Sequence, residues 1–241
     1  MKRFVAVALA ALALPASVSA GTHITVFAAA SLTNVFLRLD GGERYSFAGS
    51  DQLALQIREG APADVYAAAS PRYTQLLYRD GLVRKPVVFA TNRLIILVPR
   101  SNPAKIRSVY DLRRQGVKVV IGDTTVPVGI YTRQILDTLG ITADVAKNVV
   151  SQEPDVKGIV SKIALGEADA GFVYRTDARP VAADTRTVAL PAWAQPPIRY
   201  ELAVVQASKH RAAAAAFVRQ VLSKRGRLLL AKAGFGLPKR P

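Results

Sequence analysis

The sequence contains no cysteine and only two histidines, His23 and His210. The absence of cysteine excludes disulfide bonds, thiolate metal sites and a lipid anchor on cysteine. Two histidines leave little from which to build a histidine-based catalytic triad or a metal cluster, and we expect both to be surface residues. The sequence also lacks the G-x-S-x-G, G-x-x-x-x-G-K-[ST] and G-x-G-x-x-G motifs. These absences disfavour hydrolases, nucleotide-binding proteins and metalloenzymes.

Acidic residues are scarce. The sequence has 17 aspartates and glutamates but 33 lysines and arginines, so its formal net charge is +16. A strongly basic chain can indicate nucleic-acid binding. Here the basic residues are dispersed, without a long run, interleaved aromatic residues or a recognisable nucleic-acid motif. We therefore expect no nucleic-acid partner, and we interpret the charge as a field that attracts small anions or an acidic partner surface.

Membrane-spanning runs of roughly 18 apolar residues are also missing after the first 20 residues. At the start of the chain, Lys2 and Arg3 precede an apolar run that contains Pro15 and ends in the tripeptide VSA. This pattern predicts a cleavable signal peptide over residues 1–20. Because no cysteine could anchor the exported chain, we expect it in the periplasm of a Gram-negative bacterium.

The rest of the chain alternates strand-like runs with helical patterns. The clearest helical pattern covers residues 155–166, where apolar residues recur at spacings of three and four, and another covers 210–223. This alternation predicts an α/β fold with parallel sheets and crossover helices. The predicted strands are 23–29, 44–48, 64–69, 93–98, 117–121, 170–175 and 198–206.

Four predicted helices begin directly after a strand and a few intervening residues. The starts are Ser31 in AAASLTNVF, Ser50 in FAGSDQLALQI, Val128 in VPVGIY and Val156 in EPDVKGIV. Free N–H groups at the start of a helix attract anions. A serine at that place more commonly caps the helix, so Ser31 alone leaves capping and anion binding open. Four such starts that could face one cleft favour an anion site.

At these residues the chain resembles the periplasmic molybdate-binding proteins of bacterial ABC importers, the ModA-type family. The combination of FAGS, GAPADV and GEADAGFVYRTDA is specific. The resemblance implies a two-lobed α/β fold of the type II periplasmic-binding class, with mixed, mostly parallel sheets flanked by helices and a ligand cleft between the lobes. The segments that carry it extend over nearly the whole chain after the leader: VFAAASL, FAGSDQLALQIREGAPADVYAAAS, NRLIILVP, VPVGIY and DVKGIVSKIALGEADAGFVYRTDA.

The resemblance also implies how the lobes are divided. Two proline-led extended segments, PVVFATNR and PPIRYELAV, are candidates for the strands that connect the lobes. On this interpretation lobe one comprises residues 21–92 and 203–241, and lobe two comprises residues 93–202.

Carried over to this sequence, the resemblance implies a tetrahedral oxyanion bound by five residues. Ser31 and Ser50 would bind it through their hydroxyl and backbone N–H groups. Val128 and Val156 would donate backbone N–H groups, and Tyr174 would donate its phenol. Ser31 would also cap its helix. We expect no cofactor and no metal cation, because molybdenum would be bound as molybdate through these same residues.

Two features depart from the family pattern. Ser31 and Ser50 are 19 positions apart, and the segment LRLDGGERY between them resembles a shortened connection. Ser70 stands where relatives often have aspartate, and we expect this serine to cap the next helix. The departures affect the first helix and the local surface more than the two serines.

A site made only of donors favours fully deprotonated oxyanions, because an O–H of the ligand would meet no acceptor. We therefore expect a monomeric, exported solute-binding protein that captures molybdate, and also tungstate, and delivers it to an ABC permease. Sulfate is the first alternative ligand, and an organic anion is the second. An enzyme on the same scaffold would need a general base that these residues do not supply. A sensor domain that binds an anion and reports to another partner is the remaining alternative.

Overall fold

The computed structural model describes residues 23–238, so the predicted signal peptide at 1–20 lies outside the described residues. The described chain forms two five-stranded sheets with helices packed against them. The strands are β1 Thr25–Ala29, β2 Arg44–Ala48, β3 Val65–Ala68, β4 Val87–Asn92, β5 Leu94–Pro99, β6 Val119–Gly122, β7 Val149–Glu153, β8 Ala170–Tyr174, β9 Thr185–Val188 and β10 Ile198–Val204. The α-helices are α1 Thr33–Leu39, α2 Ser50–Arg58, α3 Pro71–Arg79, α4 Pro127–Thr138, α5 Thr142–Ala146, α6 Val156–Ala164, α7 Arg175–Ala178, α8 Arg211–Leu222 and α9 Lys224–Ala233.

The two sheets have the same arrangement. The first sheet has the order β2-β1-β3-β10-β4, and the second has the order β7-β6-β8-β5-β9. In each sheet three parallel strands lie side by side, followed by two strands that each pair antiparallel with their neighbour. The sheets are therefore mixed, as predicted, but parallel and antiparallel pairs are equal in number, so the sheets are not mostly parallel.

Buried central strands hold each sheet together. β3 and β8 are buried along their whole length, which explains their continuous apolar sequences VYAA and AGFVY. Helix α6 packs its apolar stripe on the second sheet, with Ile159 and Ile163 fully buried. Gly171 in β8 permits this close packing, because a Cβ there would lie 2.5 Å from Ile159 Cγ2.

The chain passes from the first sheet to the second at Arg93, between β4 and β5, and returns between β9 and β10. β10 lies wholly in the first sheet, so a lobe boundary at residue 203 would divide one strand. The segment 189–197 connects the second sheet to the first. We therefore propose that lobe one comprises 23–92 and 198–238 of the described chain.

The sequence pattern did not predict two of the strands, β7 and β9. Both are edge strands of the second sheet, and both are partly exposed. An edge strand needs less apolar sequence than a central one, which explains why VVSQE and TRTV carried little signal. Among residues 23–238, we find no helix with the length and apolar character needed to cross a bilayer.

Candidate functional site

A small cavity of about 230 Å³, including its open mouth, lies where elements of both sheets meet. All five residues predicted from the sequence line it: Ser31, Ser50, Val128, Val156 and Tyr174. The four helix starts follow β1, β2, β6 and β7, and Tyr174 ends β8. The cavity therefore lies at the carboxyl ends of strands, where α/β proteins commonly bind ligands. Its size suits a small ion better than a large organic molecule.

Helices α2 and α4 each direct free backbone N–H groups toward this region. The first intrahelical bond of α2 runs from the N–H of Leu53 to the carbonyl of Gly49 at 3.1 Å, so the N–H of Ser50 has no acceptor within the helix. In α4 the first such bond runs from Ile130 N to Val126 O at 3.0 Å. Because the first residue of α4 is a proline, the first N–H that this helix offers belongs to Val128.

Helix α6 offers a third N–H group. Asp155 caps this helix, because its Oδ1 accepts hydrogen bonds from Lys157 N at 2.6 Å and Gly158 N at 3.3 Å. The N–H of Val156, the first residue of the helix, is not part of this cap. Asp155 also lines the cavity, and these two N–H groups partly compensate its negative charge there.

The capping role expected for Ser31 is wrong. Ser31 lies inside a 3₁₀ helix, Ala30–Leu32, whose N-cap is Ala29, and no side chain caps it. The Oγ of Ser31 instead lies 2.9 Å from Tyr200 Oη, in a buried hydrogen bond. The hydroxyl of Ser31 is therefore hydrogen-bonded to the side chain of Tyr200 in β10 and not to the backbone of its own helix. Ser70, by contrast, does cap α3 as expected, with its Oγ accepting from Arg72 N at 3.3 Å.

Ser50 is held in place from two directions. Its Oγ accepts a hydrogen bond from Ala69 N at 3.1 Å, and its carbonyl accepts one from Tyr66 Oη at 2.6 Å. Since Ala69 N can only donate, the O–H of Ser50 is left to donate elsewhere. The cavity beside it is the nearest space in which a ligand could accept that bond.

Tyr174 brings a buried hydroxyl without a protein partner. Its side chain is 2% exposed, and its Oη makes no hydrogen bond to any described residue. Burial raises the pKa of Tyr174 well above its usual value, so the phenol is neutral and remains a donor at physiological pH. A buried hydroxyl without a partner costs about 1–3 kcal/mol. A bound acceptor in the cavity would remove that cost.

Among the described residues, the cavity lining includes no lysine, arginine or histidine. The nearby cation Lys157 is occupied by Asp177, with Nζ and Oδ1 3.2 Å apart. Asp177 is buried in α7, and burial raises its pKa to about 6 although Lys157 opposes the shift. The site thus consists of uncharged N–H and O–H donors beside one capping carboxylate.

Contacts at the rim join elements of the two sheets. Thr125 Oγ1, just before α4, donates to Asp51 Oδ2 in α2 at 2.7 Å, and Tyr73 Oη in α3 donates to the carbonyl of Thr125. At Gly49 a Cβ would lie 2.6 Å from Pro154 O, which belongs to the other side of the cavity. These contacts bring elements of the two sheets together at the rim of the site.

Sequence reasoning did not find Tyr200, Asn92, Thr125 or Gly49. Tyr200 and Ser31 are 169 positions apart, and Thr125 and Asp51 are 74 apart. A local sequence pattern cannot predict contacts between residues so far apart in the chain. The only signal at Gly49 was its place in the FAGS segment.

Comparisons with known proteins agree with this geometry. Residues 43–236 match the model of a family described as bacterial extracellular solute-binding protein. The molybdate-binding protein ModA of Mycobacterium tuberculosis is 39% identical over 241 aligned residues, which cover 93% of this chain and 90% of the relative.

Two solved structures share the fold. The periplasmic molybdate-binding protein of Azotobacter vinelandii has a TM-score of 0.78 at 22% identity, covering 90% of this chain and 100% of that one. The sulfate-binding protein SubI of Mycobacterium tuberculosis has a TM-score of 0.80 at 19% identity, covering 91% and 88%. At these identities the likeness speaks for the fold alone, and it confirms the two-lobed periplasmic-binding class.

Proposed function

The chain belongs to the bacterial extracellular solute-binding proteins, within the ModA-type family, and from this premise we propose that it binds molybdate for import into the cell. The resemblance stated from the sequence is thereby confirmed. The matched relatives are solute-binding proteins and not enzymes, and this chain is likewise a binding protein. The choice of ligand, the contacts and the delivery step are the content of the proposal.

One observation carries the proposal: uncharged donors from both sheets surround a single small cavity. The proposed contacts are the hydroxyl and N–H groups of Ser31 and Ser50, the N–H groups of Val128 and Val156, and the phenol of Tyr174. Neutral donors and helix starts stabilise a dianion without a cation that would itself have to be desolvated. The unpartnered O–H of Tyr174 supports the same assignment.

The strength of such a site can be approximated. Hydrogen bonds to a charged group contribute about 1.5–3 kcal/mol each. Some six or seven of them, reduced by the cost of association and lobe closure, are consistent with a Kd of about 1 μM or lower.

The donor chemistry also separates ligands. Molybdate, tungstate and sulfate are tetrahedral dianions without a proton at neutral pH, so every oxygen can accept a hydrogen bond. Hydrogen phosphate carries an O–H, which the proposed donors cannot accept, and the one carboxylate that lines the cavity, Asp155, already accepts two backbone N–H groups through Oδ1. We therefore propose tungstate as a second ligand and treat sulfate as the main competitor.

The proposed cellular role is delivery of the oxyanion to an ABC permease by a monomeric protein in the periplasm of a Gram-negative bacterium. Closure of the lobes around the anion would produce the form that the permease recognises. The proposal includes no cofactor. A permease and an ATPase encoded beside this chain would favour import, whereas their absence would favour the anion-sensor alternative.

Titration calorimetry with molybdate, tungstate, sulfate and phosphate tests the proposal. We expect molybdate and tungstate to bind at micromolar Kd or below, and phosphate to bind at least tenfold more weakly. Ser31→Ala should weaken molybdate binding by about tenfold or more, while Ser101→Ala, at an exposed serine outside the cavity, should leave it unchanged. Sulfate binding without molybdate binding would overturn the ligand assignment, and failure of all four anions would overturn the function.

A further inference from the structure

A buried row of hydrogen bonds leads from the backbone to Ser31. Asn92 Oδ1 accepts from Arg93 N at 2.9 Å, and Asn92 Nδ2 donates to Thr176 Oγ1 at 3.0 Å and to Tyr200 Oη at 3.4 Å. Tyr200 Oη lies 2.9 Å from Ser31 Oγ. The four side chains in this row are buried, and Tyr200 is fully so.

The three bonds of Asn92 have nitrogen donors, and this fixes their direction. A backbone N–H can only donate, so the bond from Arg93 identifies the amide oxygen of Asn92. The amide nitrogen then faces Tyr200, and it also can only donate. Tyr200 Oη therefore accepts from Asn92. Either hydroxyl can donate in its 2.9 Å bond to Ser31 Oγ, and the bond accepted from Asn92 favours Tyr200 as the donor.

Ser31 consequently accepts from Tyr200 and retains its own proton for another acceptor. Ser50 has the same polarity, because its Oγ accepts from Ala69 N at 3.1 Å. At Ser50 the donor is a backbone group, whereas at Ser31 it is a side chain that mutation can remove. Both serines thus present an O–H to the cavity that they line.

We infer that Tyr200, oriented by Asn92, is a positioning residue that makes Ser31 a hydrogen-bond donor and thereby selects unprotonated oxyanions over protonated ones. The inference rests on the proposed function. Tyr200 does not line the cavity and acts on the ligand only through Ser31. Because its hydroxyl occupies an acceptor position of Ser31, a protonated ligand finds less acceptor capacity there.

The variant Tyr200→Phe tests the inference, since it keeps the ring that packs edge-on against Phe235 and Tyr174. We expect the affinity for molybdate to fall about threefold to tenfold, because the O–H of Ser31 loses its orientation. The affinity for hydrogen phosphate should stay unchanged or rise, because Ser31 regains acceptor capacity. The ratio of the Kd for hydrogen phosphate to the Kd for molybdate should therefore fall at least threefold. A purely structural effect would weaken both anions alike and leave this ratio unchanged, which would overturn the inference.

Tyr45→Phe is the matched control. Tyr45 Oη donates to the carbonyl of Asp40 at 2.7 Å, and Tyr45 does not line the cavity. This variant loses a comparable phenol hydrogen bond, so it should leave both anion affinities and their ratio unchanged.

A double-mutant cycle shows whether Tyr200 acts through Ser31. In the Ser31→Ala background, Tyr200→Phe should change the Kd for molybdate by less than twofold, and an undiminished effect would overturn the inference.

If Tyr200→Phe does not fold by circular dichroism, Asn92→Leu is the second variant, because it removes the donor that orients Tyr200. It should also narrow the ratio of the two Kd values, and an unchanged ratio would overturn the inference. If the unmodified chain binds no oxyanion, the proposed function itself has failed, which is a distinguishable result.

Discussion

At the scale of single residues, the site depends on which polar atoms lack partners. Tyr174 Oη is buried and has no partner among residues 23–238, whereas the hydroxyls of Ser31 and Ser50 each have one protein neighbour. The sequence predicted which residues line the cavity, because local motifs carry the helix starts and the strand end. It did not predict the polarity of Ser31, because that depends on Tyr200, 169 positions away.

Replacement of Tyr174 by phenylalanine should have opposite effects on binding and on stability. We expect the Kd for molybdate to rise about tenfold or more, because one donor to the anion is lost. We also expect the free energy of unfolding of the ligand-free protein to rise by about 1 kcal/mol, because an unsatisfied buried hydroxyl is removed. Calorimetry and urea unfolding measure the two quantities. Unchanged affinity in Tyr174→Phe would contradict the proposed contact.

Asp177 predicts a pH-dependent difference in stability. Burial raises its pKa from 3.8 to about 6 in the folded protein, opposed by Lys157 and reinforced by Asp155. The folded state therefore holds this proton more tightly than the unfolded state, and stability from this group is present below pH 4 and lost as the pH rises to 6. Relative to Asp177→Asn, the unmodified protein should lose about 2 kcal/mol between these limits. Urea unfolding of both proteins from pH 4 to pH 7 measures the difference, and a constant difference would refute the assignment.

At the scale of elements, the sequence predicted the central strands better than the edge strands. The central strand β8, Ala170–Tyr174, differs from its predicted range by one residue, whereas β2, Arg44–Ala48, matches its range although it is an edge strand of the first sheet. Central strands must be apolar on both faces, so their sequences are distinctive. β7 and β9 lie at edges, where partial exposure dilutes the pattern. The helix starts were recoverable because small residues and proline mark them locally.

Gly49, directly before α2, provides a test of closure between the two sides of the cavity. A Cβ at this position would lie 2.6 Å from Pro154 O and 3.1 Å from Val126 Cγ1, both across the cavity. Gly49→Ala should therefore weaken molybdate binding by at least tenfold, because the added methyl group would keep the two sides of the cavity apart. Gly42→Ala, whose Cβ would meet only Asp40 Oδ1 at 3.4 Å, is the control. Equal affinity in Gly49→Ala and the unmodified chain would count against closure.

At the scale of the whole molecule, sequence could identify the fold class but not the position of the return crossing. PPIRYELAV is a single extended run, so nothing local shows that β10 belongs wholly to the first sheet. Its assignment depends on antiparallel pairing with β3 and β4, which are distant in the chain. The net charge of +16 follows from the composition, but a kinetic measurement is needed to establish what the charge does.

The positive charge predicts salt-dependent capture of the anion. A field that attracts molybdate is screened over about 10 Å at 0.1 M salt, so the association rate should fall several-fold between 0.02 M and 0.5 M sodium chloride. The dissociation rate should change little, because the proposed donors are buried. Stopped-flow mixing measures both rates. An association rate independent of ionic strength would show that the charge serves another purpose.

The central claim is that a tetrahedral dianion is held by uncharged donors from both sheets. A crystal structure of the chain with molybdate, with the metal located by its anomalous scattering, tests this claim most directly. We predict a molybdenum peak in the cavity, with oxygens within hydrogen-bond distance of Ser31, Ser50 and Tyr174 side chains and of the N–H groups of Val128 and Val156. A peak outside this cavity, or an anion held there by a lysine or arginine side chain, would contradict the account.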